Sequence, residues 1–68
     1  MHASVTQAMV KAVADAGYSD IREFKETASF RCRGCFAAEF VVEKDGPKIL
    51  EVRTRGTVQV LEATVRVR

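Results

Sequence analysis

Between Phe24 and Val42 eight apolar residues fall on even positions. Phe24, Ala28, Phe30, Cys32, Phe36, Ala38, Phe40 and Val42 alternate with Glu23, Lys25, Thr27, Ser29, Arg31, Arg33, Glu39 and Glu43. A period of two marks strands with one face buried and the other in water. A one-residue slip would exchange those faces, so the alternation also restricts how the strands are joined. A two-residue turn would set Phe30 and Phe36 on opposite faces. A three-residue turn at Arg33-Gly34-Cys35 keeps both inward and pairs Cys32 with Phe36, Phe30 with Ala38 and Ala28 with Phe40. Gly34 then supplies the positive φ that such loops use.

The same arithmetic makes Asp45-Gly46-Pro47 the joint between strands at 36–44 and 48–54, with Val42 opposite Leu50 and Phe40 opposite Val52. Arg55-Gly56 turns into a last strand near 57–67. There the inward parity passes from Val58 and Val60 to Ala63, Val65 and Val67. That slip calls for a bulge near Val60-Leu61, or for a strand covered on both sides by a second copy of the chain.

Ahead of the strands the period is helical. Val5, Ala8, Met9, Ala12, Val13 and Ala16 make one apolar stripe, with Lys11 and Asp15 off it. Ser4 and Gln7 have the spacing of a capping box, and Gly17 with Tyr18 suits a helix C-terminus. The expected fold is therefore α+β: a helix at 4–16 packed on a four-stranded antiparallel meander. Val5, Met9, Val13, Phe24, Phe30, Phe40, Leu50 and Val52 form the expected core.

Sixty-eight residues make a single domain spanning 1–68. A chain of this length buries only about 60% of the surface its unfolded form exposes. Self-association is accordingly expected, as a homodimer using the last strand as an open edge. The 11 Lys and Arg against 9 Asp and Glu leave a formal charge of +2, too mild to imply nucleic acid by itself. No apolar run approaches the roughly 20 residues of a membrane span, and no secretory signal is visible, which together point to a cytoplasmic protein.

The chemistry-bearing residues are few. His2 is the single histidine and stands in a terminus prone to fraying. The glycines are spaced for turns, not for cradling phosphate. No nucleophile–base arrangement can be assembled, so the chain reads as no enzyme, with no cofactor and no metal. Cys32-Arg-Gly-Cys35 is the one motif with reactive potential. Its first reading is an inward core cysteine followed by a loop thiol. Its alternatives are a redox or disulfide pair, and half of a zinc site shared across a dimer. Topology adds one more cluster. The helix N-terminus, the Arg33 loop and the Arg55 loop should share one end, gathering Arg31, Arg33, Arg53 and Arg55 into a rim suited to anions.

The segment Ala16-Gly17-Tyr18-Ser19-Asp20-Ile21-Arg22 follows an Ala-rich helix and precedes strands with a Lys-Asp-Gly turn at 44–46. It resembles PepSY domains. The resemblance implies a small helix-plus-hairpin module that binds or restrains peptidases and other partners, mostly outside the cytoplasm. The strand region here is longer, with the Cys-Arg-Gly-Cys turn inserted. The order of elements is also similar to that of cystatin-type folds. The function expected is a non-catalytic protein-binding or inhibitory module, its partner acidic and met by the sheet and the four arginines. The alternative is a small nucleic-acid-binding accessory protein, disfavoured by the lack of Trp and the inward parity of all four Phe.

Overall fold

The computed structural model describes residues 2–57 and 59–68. One helix, α1 (Ala3–Asp15), is followed by β1 (Ile21–Ser29), β2 (Phe36–Glu43), β3 (Pro47–Gly56) and β4 (Leu61–Val67). The four strands form one antiparallel sheet in the order β1-β2-β3-β4, and α1 packs across β3 and β4. This is the expected α+β meander.

The helix begins one residue earlier than expected. His2 is its N-cap, and its Nδ1 accepts from the Ser4 N–H at 3.3 Å and bonds the Ser4 hydroxyl at 2.8 Å. Ser4 therefore lies inside the first turn, and the Ser4–Gln7 capping box is replaced by an imidazole cap. The C-terminus closes as the sequence suggests. The Tyr18 N–H donates to Val13 O and the Gly17 N–H to Ala14 O, the two bonds of a Schellman motif. Lys44 secures this end, donating from Nζ to Gly17 O at 3.1 Å and lying 5.3 Å from the centre of the Tyr18 ring.

Val5, Met9 and Val13 of α1 meet Ala38, Phe40, Val42, Leu50 and Val52 in a single core. Fully burying a side chain of this size stabilises by about 1.5–3 kcal/mol. Phe40, Met9, Leu50, Val13, Val42 and Val52 are the largest side chains at full burial. Register along β2–β3 pairs Phe40 with Leu50 and Val42 with Lys48, two residues from the expected register. The slip is even, so the buried faces survive. Its cause is the joint: Glu43 still pairs with Pro47, leaving Lys44-Asp45-Gly46 as the loop and Pro47 as the first residue of β3.

Two expectations fail in β1 and at the residue just after it. Phe24 and Phe30 are 42% and 45% exposed, not core. Phe24 does face the helix side, edge-on to Phe40 at 5.0 Å, but α1 lies over β3 and β4 and leaves this edge bare. Phe30 fails for a different reason. The ladder skips at Arg22 and again at Thr27, so that Phe24 pairs with Phe40 but Ala28 pairs with Ala37 and Ser29 with Phe36. An extra residue reverses the parity of everything after it. Ala28 and Phe30 are thereby carried to the face away from α1, where Ala37 is also buried.

The last strand is shorter than the expected 57–67. Thr57 and Val60 bond each other's backbone N–H and C=O at 3.1 Å, closing a turn, and β4 starts at Leu61. Leu61, Ala63 and Val65 then alternate inward without a break. The apparent parity slip was therefore the turn itself. Val58, which the alternation also placed inward, lies outside the described residues.

Candidate functional site

The sheet has one covered face and one open one. Residues on the open face include Phe30, Ala37, Val41, Ile49, Arg53, Arg55, Glu62 and Thr64, by their register opposite the buried positions. At its β4-terminal side, Glu39 and Glu51 are neutralised by Arg68, which bonds Glu39 and stands 3.6 Å from Glu51. At the opposite end the chemistry changes. The Arg53 guanidinium lies 5.5 Å from the centre of the Phe30 ring, within the range of a cation–π contact. Arg55 follows two residues on, hence on the same face. Phe30, Cys35, Arg53, Arg55, Glu62 and Thr64 line a concavity of about 280 Å³. Small-molecule pockets usually enclose about 300–1,000 Å³, so this hollow suits a side chain or two from a larger partner.

The four expected arginines are not one cluster. Arg53 and Arg55 share the open face. Arg33 stands on the other side of the loop, lining a hollow with His2, Val5, Gly34, Phe36 and Leu61 at the helix N-terminus. Arg31 is exposed in the loop between them. The expectation that helix N-terminus, Arg33 loop and β3–β4 turn share one end is met, since Thr57 and Gln59 line the same hollow. What separates the arginines is the parity change at Thr27 and the thickness of the sheet. Among the described residues none of the four is in an ion pair, whereas Arg22 and Arg68 are.

The loop itself departs from the three-residue turn. Cys32 and Cys35 are joined in a disulfide, with their Cα atoms 5.3 Å apart. Cys32 is exposed rather than in the core. The Cys35 N–H donates to Cys32 O at 3.2 Å, and Gly34, third in this turn, has φ 70°. A type II turn needs a positive φ there, which is why Cys-Arg-Gly-Cys folds on itself and not into a hairpin end. The final rung is the Phe30 N–H to Cys35 O at 2.8 Å. The loop is then seated on β3 by the Thr54 hydroxyl, which donates to Gly34 O at 2.6 Å. A ring closed over so few residues removes little chain entropy, so the bond stabilises by only about 2 kcal/mol.

Phe30 is the functional candidate that parity reasoning misassigned. The signal was present in the sequence: Glu26 occupies an even, nominally buried position, which breaks the alternation one residue before the Thr27 bulge. No three or more His, Cys, Asp or Glu gather into a metal-binding group among the described residues. Among the described residues no helix is long and apolar enough to cross a membrane. Comparison with protein-family models, curated proteins and solved structures found no match.

Proposed function

We propose that the chain is a non-catalytic binding module that takes an acidic segment of a protein partner on the open face of its sheet, at Phe30, Arg53 and Arg55. One observation carries this reading. Two arginines without an ion-pair partner among the described residues line one hollow with an exposed aromatic ring, Arg53 lying over it, on the sheet face away from the helix. Guanidinium forks capture carboxylates in pairs of hydrogen bonds, and an exposed ring beside them adds apolar contact. The PepSY resemblance of 16–22 points to the same class of function.

The test is an immobilised chain against a glutamate-rich peptide and a single-stranded oligonucleotide over a salt series. Arg53→Glu with Arg55→Glu is expected to weaken peptide binding by more than about tenfold, or about 1.4 kcal/mol. The control, Lys11→Glu with Lys25→Glu, makes the same change in net charge. Lys25 lies about 16 Å along β1 from Phe30, and the control is expected to bind like the parent. Equal binding by both double variants would return the patch to ordinary surface. Tighter, steeply salt-dependent retention of the oligonucleotide would favour the nucleic-acid alternative.

The expected homodimer belongs to this reading as a second, separate contact. β4 pairs on one side only, and its other edge offers unpaired backbone groups to a second copy. Light scattering at micromolar concentration is expected to give twice the 7.5 kDa chain mass, and a strictly monomeric mass removes the dimer. The cytoplasmic setting expected from the sequence requires that the Cys32–Cys35 bond be reversible, because static disulfides persist in oxidising compartments.

A further inference from the structure

The β1–β2 loop holds a bond that partner binding does not use. Cys32 is exposed, Cys35 is half-buried, and the exposed Arg31 and Arg33 flank Cys32 on both sides. A thiol reagent thus has access to one sulfur of the pair and not equally to the other. Arg53 and Arg55, which line one hollow with Cys35, favour a thiolate departing there. The loop's position gives the bond a consequence. Cys35 lines the same concavity as Phe30, Arg53 and Arg55, and its carbonyl receives the Phe30 N–H.

We infer that Cys32–Cys35 is a thiol–disulfide exchange site for dithiols, and that its reduction loosens the loop and takes apart the Phe30–Arg53 patch. The second half rests on the binding reading above; the first does not. A thiolate of the dithiol attacks Sγ of Cys32. The S–S bond breaks, its electron pair leaves on Sγ of Cys35, and that sulfur takes a proton from solvent. The second thiolate of the reagent then attacks its own sulfur in the mixed disulfide and frees Cys32, which is protonated in turn. The chain gains two electrons and two protons, and the dithiol is oxidised to its disulfide.

The oxidised chain is treated with dithiothreitol in the absence of denaturant, and its thiols are alkylated and counted by mass. Complete reduction of the folded chain is expected, with complete re-formation on addition of oxidised glutathione. Backbone amide shifts should change only within 28–36 and 52–57. With oxidised glutathione, Cys35→Ser keeps the exposed thiol and is expected to form the mixed disulfide about tenfold faster than Cys32→Ser, because access of the attacking protein thiolate to the reagent sets the rate. The far-UV spectrum of each variant checks that both remain folded. A bond that resists dithiothreitol until denaturant is added, or equal rates for the two variants, overturns the exchange site. Phe30 and Arg53 amides unmoved by reduction overturn the coupling to the patch. Neither readout involves a partner, so failure of the peptide-binding test leaves them standing.

Discussion

Phe40→Ala is expected to leave the chain largely unfolded at 25 °C, while Phe30→Ala melts within about 8 °C of the parent. The two residues are the same type, Phe40 within β2 and Phe30 just past the end of β1, but only Phe40 has neighbours on every side. It is 1% exposed, contacts Phe24 edge-on, pairs with Leu50 and belongs to the cluster around Met9. Emptying such a site costs about 3–5 kcal/mol. At roughly 0.05–0.15 kcal/mol per residue, a chain of 68 residues has about 3–10 kcal/mol in all, so that loss removes most of it. Phe30 forfeits a cation–π contact with Arg53 and part of its burial, about 1 kcal/mol. Thermal and urea unfolding of the two variants checks the order. If Phe30→Ala proves the more damaging, the open face of the sheet is covered in solution, and Phe30 belongs to a core.

That contrast also shows what a period of two does and does not carry. Parity is preserved by any even slip, so the buried faces of β2 and β3 were legible even though the register was not. Phe40 was expected opposite Val52 and stands opposite Leu50, inward in either case. Bulges are odd slips, and they are set by local backbone geometry at an edge strand more than by side-chain type. Thr27 itself has nothing in its chemistry to announce one, and the one sign beside it is Glu26 at an even position, so strict parity puts Phe30 on the wrong face. In β4 the reverse happened. A break in parity was visible at Leu61, but it came from a turn at 57–60, and it gives no support to a second copy covering the strand. Of the candidate site, the sequence shows which arginines lie near the sheet end. It does not show that Arg53 and Arg55 share a face while Arg33 sits behind the loop, because that division follows from the disulfide turn and the Thr27 bulge together.

The loop that separates them is expected to depend on two glycines more than on its disulfide. Gly34→Ala and Gly56→Ala should each cost roughly 3 kcal/mol or more, against about 1–2 kcal/mol for Gly46→Ala. All three glycines have positive φ, at 70°, 122° and 100°, so each substitution carries backbone strain. Gly46 adds nothing to that, because a Cβ there meets no atom within 4 Å. A Cβ on Gly34 would stand 2.2 Å from Gly56 O and 2.7 Å from Leu61 Cδ2. One on Gly56 would stand 2.2 Å from Val60 O. Both obstacles include backbone oxygen of the β3–β4 turn, which cannot swing aside as a long side chain would. Relief at Gly34 requires the β1–β2 loop to lift from β3, which also breaks the Thr54 hydrogen bond to Gly34 O, whereas relief at Gly56 requires the β3–β4 turn itself to open. A turn already opened for a Cβ on Gly56 has moved the Gly56 carbonyl that a Cβ on Gly34 would meet, so the second substitution should cost little beyond its own strain. The double variant is therefore expected to fall short of the sum of the singles, the mark of residues acting through one contact. Urea unfolding of the four variants measures each term. Full additivity, or a Gly34→Ala no worse than Gly46→Ala, would mean that loop and turn are not in contact in solution, and that the Phe30–Arg53 patch has lost the support holding it at the sheet end.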